Sequence, residues 1–379
     1  MKIYTFLGDK SIFRTINCSM NTISLCMIVK DEEKTLARIL SIAEKFCDEI
    51  IIVDTGSSDD TLKIAKKFTD KIFGYRFNGD FSAARNYAFS FAKCDYLLWL
   101  DADDFIDAKN IEKIEKLKKT GLYADIYTFL YNTYDRKNGN LLLSFYRERL
   151  LKRDKNYKFY GAVHEAIPLT GNVVFTDIIV EHRKEKTIDA KRNLNIYFLL
   201  KKRKYAFSGR DVYYFARELY YNGYYKQAAV NFKKFLKLGG QDADEAEAHV
   251  LLSDCFIREK STEKAEAVIF DALRKFVPYP EMLCALGRVY YEKGEYEKSA
   301  FYYKTALFAD EKKDGFCRPE YKGIVPLLWL TVIYYNLRDY KSAKKYHEEC
   351  KKIAPTDPSV RFNDKLPLLS ENNNGQNKR

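Results

Sequence analysis

Short apolar runs alternate with segments of helical spacing from Ile23 onward. The runs have the length of strands and read ISLCMIV, EIIIVD, KIFGYRF and DYLLWL. Between them, apolar residues recur every three or four positions, as in DEEKTLARILSIAEKF and FSAARNYAFSFAK, which is typical of helices. The intervening segment SSDDTLKIAKKF predicts a helix capped by Ser57 or Ser58. Four strand–helix units in about 90 residues predict a parallel, doubly wound sheet.

The pattern changes after residue 120. Two longer strands are predicted on either side of a turn at residues 137–140, and NVVFTDIIVEH follows as another strand. The segment KRNLNIYFLLKKRK then predicts a helix that leads out of the domain. We therefore interpret residues 1–21 as a leader and residues 22–205 as one α/β domain.

From about residue 211 the chain is helical and repetitive. A small residue opens each second helix, and successive occurrences are 37, 34 and 44 residues apart, at Ala228, Ala265, Ser299 and Ala343. The tetratricopeptide period is about 34 residues. The pattern predicts an all-α, tetratricopeptide-like superhelical domain over residues 206–360. Residues 361–379 form a polar tail that we expect to be disordered.

Composition and charge limit the classes of binding partner and the cellular compartment that we expect. The 379-residue chain carries a net charge of +12, which favours polyanionic partners such as the phosphates of a small donor. Its basic residues are spread along helices and form no recognised nucleic-acid module, so we expect no nucleic-acid partner. The eight cysteines include no C-x-x-C pair, and no apolar window is long enough to span a membrane. Several cysteines sit inside apolar runs, as buried free thiols do, which favours a reducing compartment, and we expect a cytoplasmic protein without a transmembrane segment.

Polar clusters follow three of the predicted strands. They are Lys30-Asp31-Glu32, the segment 54–59, and Asp101-Ala102-Asp103. Open parallel sheets bind ligands at the carboxyl ends of their strands, so these clusters should meet at one edge. Two carboxylates directly after an apolar strand indicate a divalent metal, Mn²⁺ or Mg²⁺, that bridges a diphosphate. The alternative is that these acids only cap the following helix.

The ordered segments IVKDE, IIIVDTGSSDDT, ARN and LWLDADD resemble the nucleotide-sugar-binding half of family-2 glycosyltransferases. The resemblance covers roughly residues 22–205 and implies a Rossmann-like GT-A fold. It also implies inverting, metal-dependent transfer of a hexose from a UDP-sugar donor. The segments FNGDFSAARNYAF and FYGAVHEAI resemble a bacterial branch, often fused to tetratricopeptide repeats, that includes peptide S-glycosyltransferases.

The resemblance implies a role for individual residues at the donor site. The nucleotide sugar would be bound by Glu32, Asp54, Arg85, Asn86 and Asp101. The metal would be held by Asp101, Asp103 and His182. Read locally, Arg85 could equally be a surface arginine on a helix, and His182 could be a surface histidine at a strand end.

The general base is expected after the turn at Gly161. Here the chain has His164-Glu165 where the family usually has Glu-Asp. Inverting transfer needs one group to accept the proton of the acceptor, and Glu165 is our first choice, with His164 the second. The alternative is a structural histidine beside a carboxylate that forms a salt bridge.

Two other functions remain open on the sequence. One is a nucleotidyltransferase on a similar fold, although the loop after the first strand, IVKDEEKT, has no glycine. The other is a tetratricopeptide scaffold protein with an inactive transferase domain. For a glycosyltransferase, the acceptor would be a peptide, a protein or a glycan, and the repeats would present it or build a homodimer.

Overall fold

The computed structural model describes residues 21–134, 141–183, 189–310, 318–367 and 369. Most of the expected leader, the turn at 137–140 and the end of the polar tail lie outside the described residues. Within the described ranges, no helix combines the length and the apolar character that crossing a bilayer requires.

The first part of the described chain forms an eight-stranded mixed sheet in the order β3-β2-β1-β4-β7-β6-β8-β5. The strands are β1 Ile23–Val29, β2 Glu49–Asp54, β3 Ile72–Gly74, β4 Tyr96–Trp99, β5 Asp104–Phe105, β6 Ile126–Tyr134, β7 Leu141–Lys152 and β8 Val173–His182. Strands β1 to β4 pair in parallel, as the alternating pattern predicted. Strand β7 joins β4 in antiparallel register, which makes the complete sheet mixed.

The α-helices of this part, within the described residues, are α1 Leu36–Ala43, α2 Thr61–Ala65, α3 Phe81–Phe89, α4 Ala108–Thr120 and α5 Arg192–Lys202. Helix α1 buries its apolar residues in the core on one face of the sheet, together with Ile111 and Ile114 of α4. Helix α3 packs on the other face, where Ala88 and Phe89 meet Trp99. Asp80 caps α3 by accepting a hydrogen bond from the backbone of Ala83. This cap fixes the helix that carries Arg85.

Paired helices follow, as the repeat pattern predicted. They are α6 Gly209–Tyr221, α7 Tyr225–Leu238, α8 Asp242–Arg258, α9 Thr262–Lys275, α10 Pro280–Glu292, α11 Tyr296–Ala306, α12 Ile324–Asn336, α13 Tyr340–Ile353 and the short α14 Pro358–Asn363. The four small residues that mark the repeat are fully buried. A Cβ at Gly287 would lie 2.6 Å from the ring of Tyr303, so this glycine allows close approach of α10 and α11.

One hydrophobic cluster joins the two parts of the chain. Val163 of the first part and Tyr197 of α5 are buried in the same cluster as Tyr213 and Phe215 of α6. Helix α6 also begins with a capping box in which Ser208 and Asp211 satisfy each other's backbone. The first repeat helix is therefore packed against the segment that precedes Glu165.

Candidate active site

The acidic segment after β4 folds into a tight turn. The backbone N–H of Asp101 donates to Oδ2 of Asp104 at 2.9 Å, and the N–H of Asp104 donates to the carbonyl of Asp101 at 3.1 Å. Strand β5 then pairs with β8 so that Asp104 lies opposite His182. The end of β8 thus meets the short strand β5 after the turn, although Asp104 and His182 are 78 residues apart in the sequence.

Asp103, Asp104 and His182 form a cluster with the spacing of metal ligands, because their ligand atoms lie within 4.8 Å of one another. Nδ1 of His182 lies 3.4 Å from Asp103 and 3.9 Å from Asp104. Neither Oδ1 of Asp104 nor Nδ1 of His182 has a hydrogen-bond partner of good geometry among the described residues, and both atoms are buried. Carboxylate oxygens and imidazole suit Mn²⁺, so the residues fit a divalent metal.

The charges of this cluster act strongly on His182. Burial acts to lower its pKa, but the neighbouring carboxylates of Asp103 and Asp104 outweigh burial and raise the pKa of His182 to about 10. A positive centre is therefore stabilised between these carboxylates. Of the ligands expected from the sequence, Asp103 and His182 belong to this cluster, whose third member is Asp104.

Arg85 connects two carboxylates across the site. Its Nε donates to Glu165 at 2.6 Å and its Nη2 donates to Asp101 at 2.7 Å. The guanidinium is buried and lies 4.7 Å from the ring centre of Trp99. Its remaining nitrogen, Nη1, is buried without a hydrogen-bond partner among the residues described. Arg85 is therefore a residue of the site and not a surface arginine.

Two further arginines come from β7 and complete an arginine cluster of Arg85, Arg147 and Arg149. The guanidinium groups of Arg147 and Arg149 lie 4.6 Å and 4.0 Å from the ring centre of Trp99. Arg149 is fully buried and pairs with the buried carboxylate of Asp104 at 3.1 Å. Burial acts to raise the pKa of Asp101, but the three arginines outweigh burial and hold that pKa well below its ordinary value.

Hydrogen bonds join the loop after β1 to the loop after β2, at the carboxyl ends of these two strands. Asp54 accepts hydrogen bonds from the backbone N–H groups of Gly56 and Ser57. Asp31 has a left-handed backbone, with φ of 52°, and its carboxylate accepts from the N–H of Ser58 at 2.6 Å. The serines therefore brace the β1 loop, and the predicted helix cap at Ser57 or Ser58 is wrong. Helix α2 begins at Thr61.

Glu32 and Asp54 both belong to these braced loops. The backbone N–H of Glu32 donates to the hydroxyl of Thr61, and its carboxylate accepts from Thr35. Asp54 borders a cavity of about 400 Å³ between α2 and β3, which Leu62 and Phe73 also line. The two residues expected at the nucleoside thus lie on a pair of hydrogen-bonded loops at the carboxyl ends of β1 and β2.

The side chain of Asn86 forms hydrogen bonds with the backbone of Phe159. Its side-chain amide donates to the carbonyl of Phe159 at 3.0 Å, and its side-chain oxygen accepts from the N–H of Phe159 at 2.9 Å. These two bonds attach the segment before Glu165 to α3. In this structure Asn86 supports the loop that we expected to face the acceptor, while its neighbour Arg85 contacts the carboxylates directly.

The loop that carries Glu165 is short and closed by a backbone pair between Tyr160 and Ala166. Gly161 has φ of 94° and His164 has φ of 56°, so two residues take the left-handed conformation within one turn. Glycine accommodates this conformation freely, whereas histidine needs support from its surroundings.

Helix α6 supplies that support. The ring of His164 stacks on Tyr214, and its Nε2 lies 2.9 Å from the carboxylate of Glu218. Arg210 donates two hydrogen bonds to the carbonyl of His164, and Asp211 accepts one from the N–H of Ala162. His164, our second choice of base, is thus engaged by the repeat helix, while Glu165 contacts Arg85.

The sequence interpretation missed several residues of this centre, namely Asp104, Arg147, Arg149, Arg210, Tyr214 and Glu218. A signal for some of them exists. Asp104 continues the acidic run after β4, and Arg147 and Arg149 are two positions apart in a strand, so they share one face. Nothing in the sequence indicates that α6 approaches the Glu165 loop, because that contact joins segments about 50 residues apart.

Comparison with known proteins agrees with the architecture. Residues 24–172 match the family Glycosyl transferase family 2, and residues 280–313 and 328–357 match a tetratricopeptide repeat family. The first match contains every residue of the arginine cluster, Asp101, Asp103, Asp104 and Glu165. His182 lies beyond it.

Curated relatives match parts of the chain. The glycosyltransferase SunS of a Bacillus subtilis prophage is 28% identical over 246 residues, which cover 60% of this chain and 56% of SunS. A TPR repeat-containing protein of Synechococcus elongatus is 44% identical over 89 residues, which cover 24% of this chain and 22% of that protein. The chain thus spans just over half of one relative and about a fifth of the other.

Among solved structures, residues 1–349 of S. aureus TarS are 13% identical with a TM-score of 0.33, covering 88% of this chain and 92% of that one. The matches to the two families, together with the mixed sheet and the paired helices, define the architecture. The chain carries a glycosyltransferase family 2 domain, followed by tetratricopeptide repeats.

Proposed function

We propose that this chain transfers a hexose from a UDP-sugar to a peptide or protein acceptor, with inversion at the anomeric carbon. The observation that carries the proposal is the Arg85 bridge, which joins Asp101 to Glu165 beside the cluster of metal-ligand spacing. A group-transfer centre needs a donor side and an acceptor side within reach of one another. Asp101 belongs to the first and Glu165 to the second.

On the donor side, Asp103, Asp104 and His182 would hold a divalent metal, Mn²⁺ or Mg²⁺. When bound, such an ion neutralises charge on the departing diphosphate. Nη1 of Arg85 is buried and has no hydrogen-bond partner among the described residues. Its N–H group can therefore donate a hydrogen bond to the bound UDP-sugar. Glu32 and Asp54 lie on the braced loops where we place the nucleoside, and Asp101 is kept ionised by the arginine cluster.

On the acceptor side, Glu165 would accept the proton of the nucleophile as that nucleophile bonds to the anomeric carbon. The bond from the anomeric carbon to the diphosphate breaks at the same time, and UDP leaves from the opposite face. General-base catalysis of this kind contributes roughly 10²–10⁴ in rate. His164 is better suited to positioning Glu165, because its own ring already contacts Tyr214 and Glu218.

Two observations favour a peptide acceptor, and a third favours a reducing compartment. The segments around Arg85 and Glu165 resemble the branch that includes peptide S-glycosyltransferases, and the repeats lie against the Glu165 loop. Six cysteines in the described ranges are free thiols, as expected in the cytoplasm. An acceptor thiol that is already ionised would need less help from Glu165.

A thermal-shift screen tests donor binding. Wild-type protein is heated with UDP-sugars, UDP, ATP and CTP, with Mn²⁺ or with EDTA. We expect UDP-sugars and UDP to raise Tm only when Mn²⁺ is present, because a ligand that binds the folded state stabilises it by mass action. Asp103→Asn should lose this response, and Asp271→Asn on the outer helix α9 should keep it. Stabilisation by ATP or CTP but not by UDP-sugars would favour a nucleotidyltransferase.

A further inference from the structure

Helices α5 and α7, with the residues that flank α5, carry most of the net positive charge of the chain. Residues 191–205 include six basic residues and residues 225–238 include four, and neither segment contains an acidic residue. Together they supply ten of the twelve net positive charges. Helix α9, the second helix of the next pair, has three basic and three acidic residues. The excess charge is therefore gathered at the start of the array and not spread evenly along the chain.

The lysines of α7 all lie on its exposed face. The exposed side chains of this helix recur with the helical period and form one stripe, which consists of Lys226, Gln227, Val230, Lys233, Lys234, Lys237 and Leu238. None of the four lysines forms a salt bridge with a carboxylate of the described residues. Lys233 lies instead 4.8 Å from the ring centre of Phe256. The stripe therefore presents positive charge that no neighbouring acid compensates.

Exposed apolar side chains lie among these charges. On α7, Val230 is 67% exposed and Leu238 is 57% exposed. On α5, Phe198 and Leu199 are 42% and 38% exposed, and the basic run of residues 201–204 follows them directly. Helices that lie on a membrane surface combine apolar groups of this kind with lysine and arginine.

The two basic segments adjoin one another and the transferase domain. Helices α5 and α7 both pack against α6. The ring of Phe198 lies 6.4 Å from the ring of Tyr224, the residue before α7. Arg203 donates a hydrogen bond of 2.6 Å to the carbonyl of Asn78, shortly before α3. The basic surface is thus attached to the segment that leads into the helix of Arg85.

We propose that the surface formed by residues 198–205 and the exposed stripe of α7 binds an anionic lipid bilayer. Its lysines contact the phosphates of the lipid headgroups, and its apolar side chains enter the interfacial layer. Clusters of roughly four to eight basic residues on such helices recognise anionic lipids. Nucleic acid is the less suitable partner, because its phosphates are bound by polar contacts and give exposed valine and leucine nothing to bury. The inference does not depend on the proposed transfer reaction.

Co-sedimentation of the full chain with vesicles tests the proposal. The vesicles contain phosphatidylcholine alone or a mixture with phosphatidylglycerol, and we expect binding only to the anionic mixture. Lys233→Gln/Lys234→Gln should weaken this binding about 25-fold, because each lysine near the bilayer contributes about fivefold. Val230→Ser/Leu238→Ser should weaken it about tenfold at unchanged net charge. Thermal melting verifies that each variant is folded.

Lys344→Gln/Lys345→Gln is the matched control, because it removes two adjacent exposed lysines from the distant helix α13. It should leave vesicle binding unchanged. An equal loss in both lysine variants would show that net charge alone drives adsorption, and this overturns the inference. Absence of binding to anionic vesicles also overturns it, as does equal binding to neutral ones. Retention of duplex DNA that requires Lys233 and Lys234, without vesicle binding, would assign the surface to nucleic acid and contradict the proposal.

Discussion

The imidazole ring of His164 stacks on the phenol ring of Tyr214, with ring centres 4.4 Å apart and planes inclined by 18°. His164 precedes Glu165, and Tyr214 belongs to the first repeat helix. The helical array is therefore part of the wall that holds the proposed base. Fusion of repeats to the transferase domain thus has a structural consequence inside the candidate active site, in addition to any role in acceptor binding.

Tyr214→Ala should lower kcat for transfer by about 10- to 100-fold, because a small displacement of a catalytic group is costly in rate. The Kd for UDP-sugar should stay unchanged, since Tyr214 does not contact the donor loops. Tyr214→Phe keeps the stacked ring and should restore most of kcat. Steady-state kinetics and thermal-shift titration of the donor provide the two readouts.

Tyr340→Ala is the matched control for Tyr214, because this half-exposed ring lies on the distant helix α13. It should leave kcat unchanged. A Tyr214→Ala enzyme with normal kcat, or with a loss confined to KM, would show that α6 does not position Glu165.

Cutting the chain after residue 210 should abolish donor hydrolysis as well as transfer. The cut removes Asp211, Tyr214 and Glu218, which support the Glu165 loop, and exposes the core around Tyr197. Circular dichroism and UDP release measure the two effects. A folded fragment that hydrolyses UDP-sugar at the full-length rate would contradict this dependence on the array.

Arg149→Met should lower the free energy of unfolding by about 3–5 kcal/mol, because it leaves the buried carboxylate of Asp104 without its partner. Mn²⁺ should recover part of this loss, since a cation at the cluster compensates the same carboxylate. Urea unfolding with and without Mn²⁺ measures both effects. Arg258→Met, which breaks a partly exposed pair with Asp254, should cost about 1 kcal/mol or less and show no metal dependence.

Glu218 links pH to the stability of the loop. Burial acts to raise its pKa, but hydrogen bonds from His164 and Asn193 lower it below the ordinary value of 4.5. A carboxylate with a lowered folded pKa stabilises the protein above its unfolded pKa, and this contribution disappears as pH falls through the folded value. Glu218→Gln should therefore be less stable than wild type at pH 7, and the difference should vanish in strong acid.

Urea unfolding of both proteins across this pH range checks the prediction. A difference that grows as the pH falls would reverse the expected sign. Glu348→Gln, on the distant helix α13, is the control and should change stability little at either end of the range, because it removes only a local pair with Lys351.

The sequence predicted the architecture well where local patterns decide it. The parallel order of β1 to β4 follows from apolar runs separated by helices, and the burial of Ala228 and Ala343 follows from the repeat period. The antiparallel entry of β7 beside β4 was not predicted, because strand pairing across about 50 residues leaves no periodic signal.

For the site, the resemblance grouped Asp101, Asp103 and His182 as metal ligands, but the sequence could not predict which partner each of them contacts. Asp101 faces Arg85, while Asp104 joins the metal-ligand cluster, and this division depends on a turn whose geometry the letters DADD do not determine. The sequence likewise did not show which of His164 and Glu165 is the general base. The structure separates their contacts, because α6 approaches one and Arg85 the other.

Turnover of a nucleotide sugar tests the central claim most directly. UDP release is measured from a panel of UDP-hexoses by wild-type protein with Mn²⁺, with EDTA, and by Asp103→Asn with Mn²⁺. The account predicts release by wild type with at least one sugar, and a loss of about 10³-fold or more in EDTA and in the variant, since charge stabilisation worth several kcal/mol is removed. No release from any UDP-hexose, or equal release by Asp103→Asn, would contradict it.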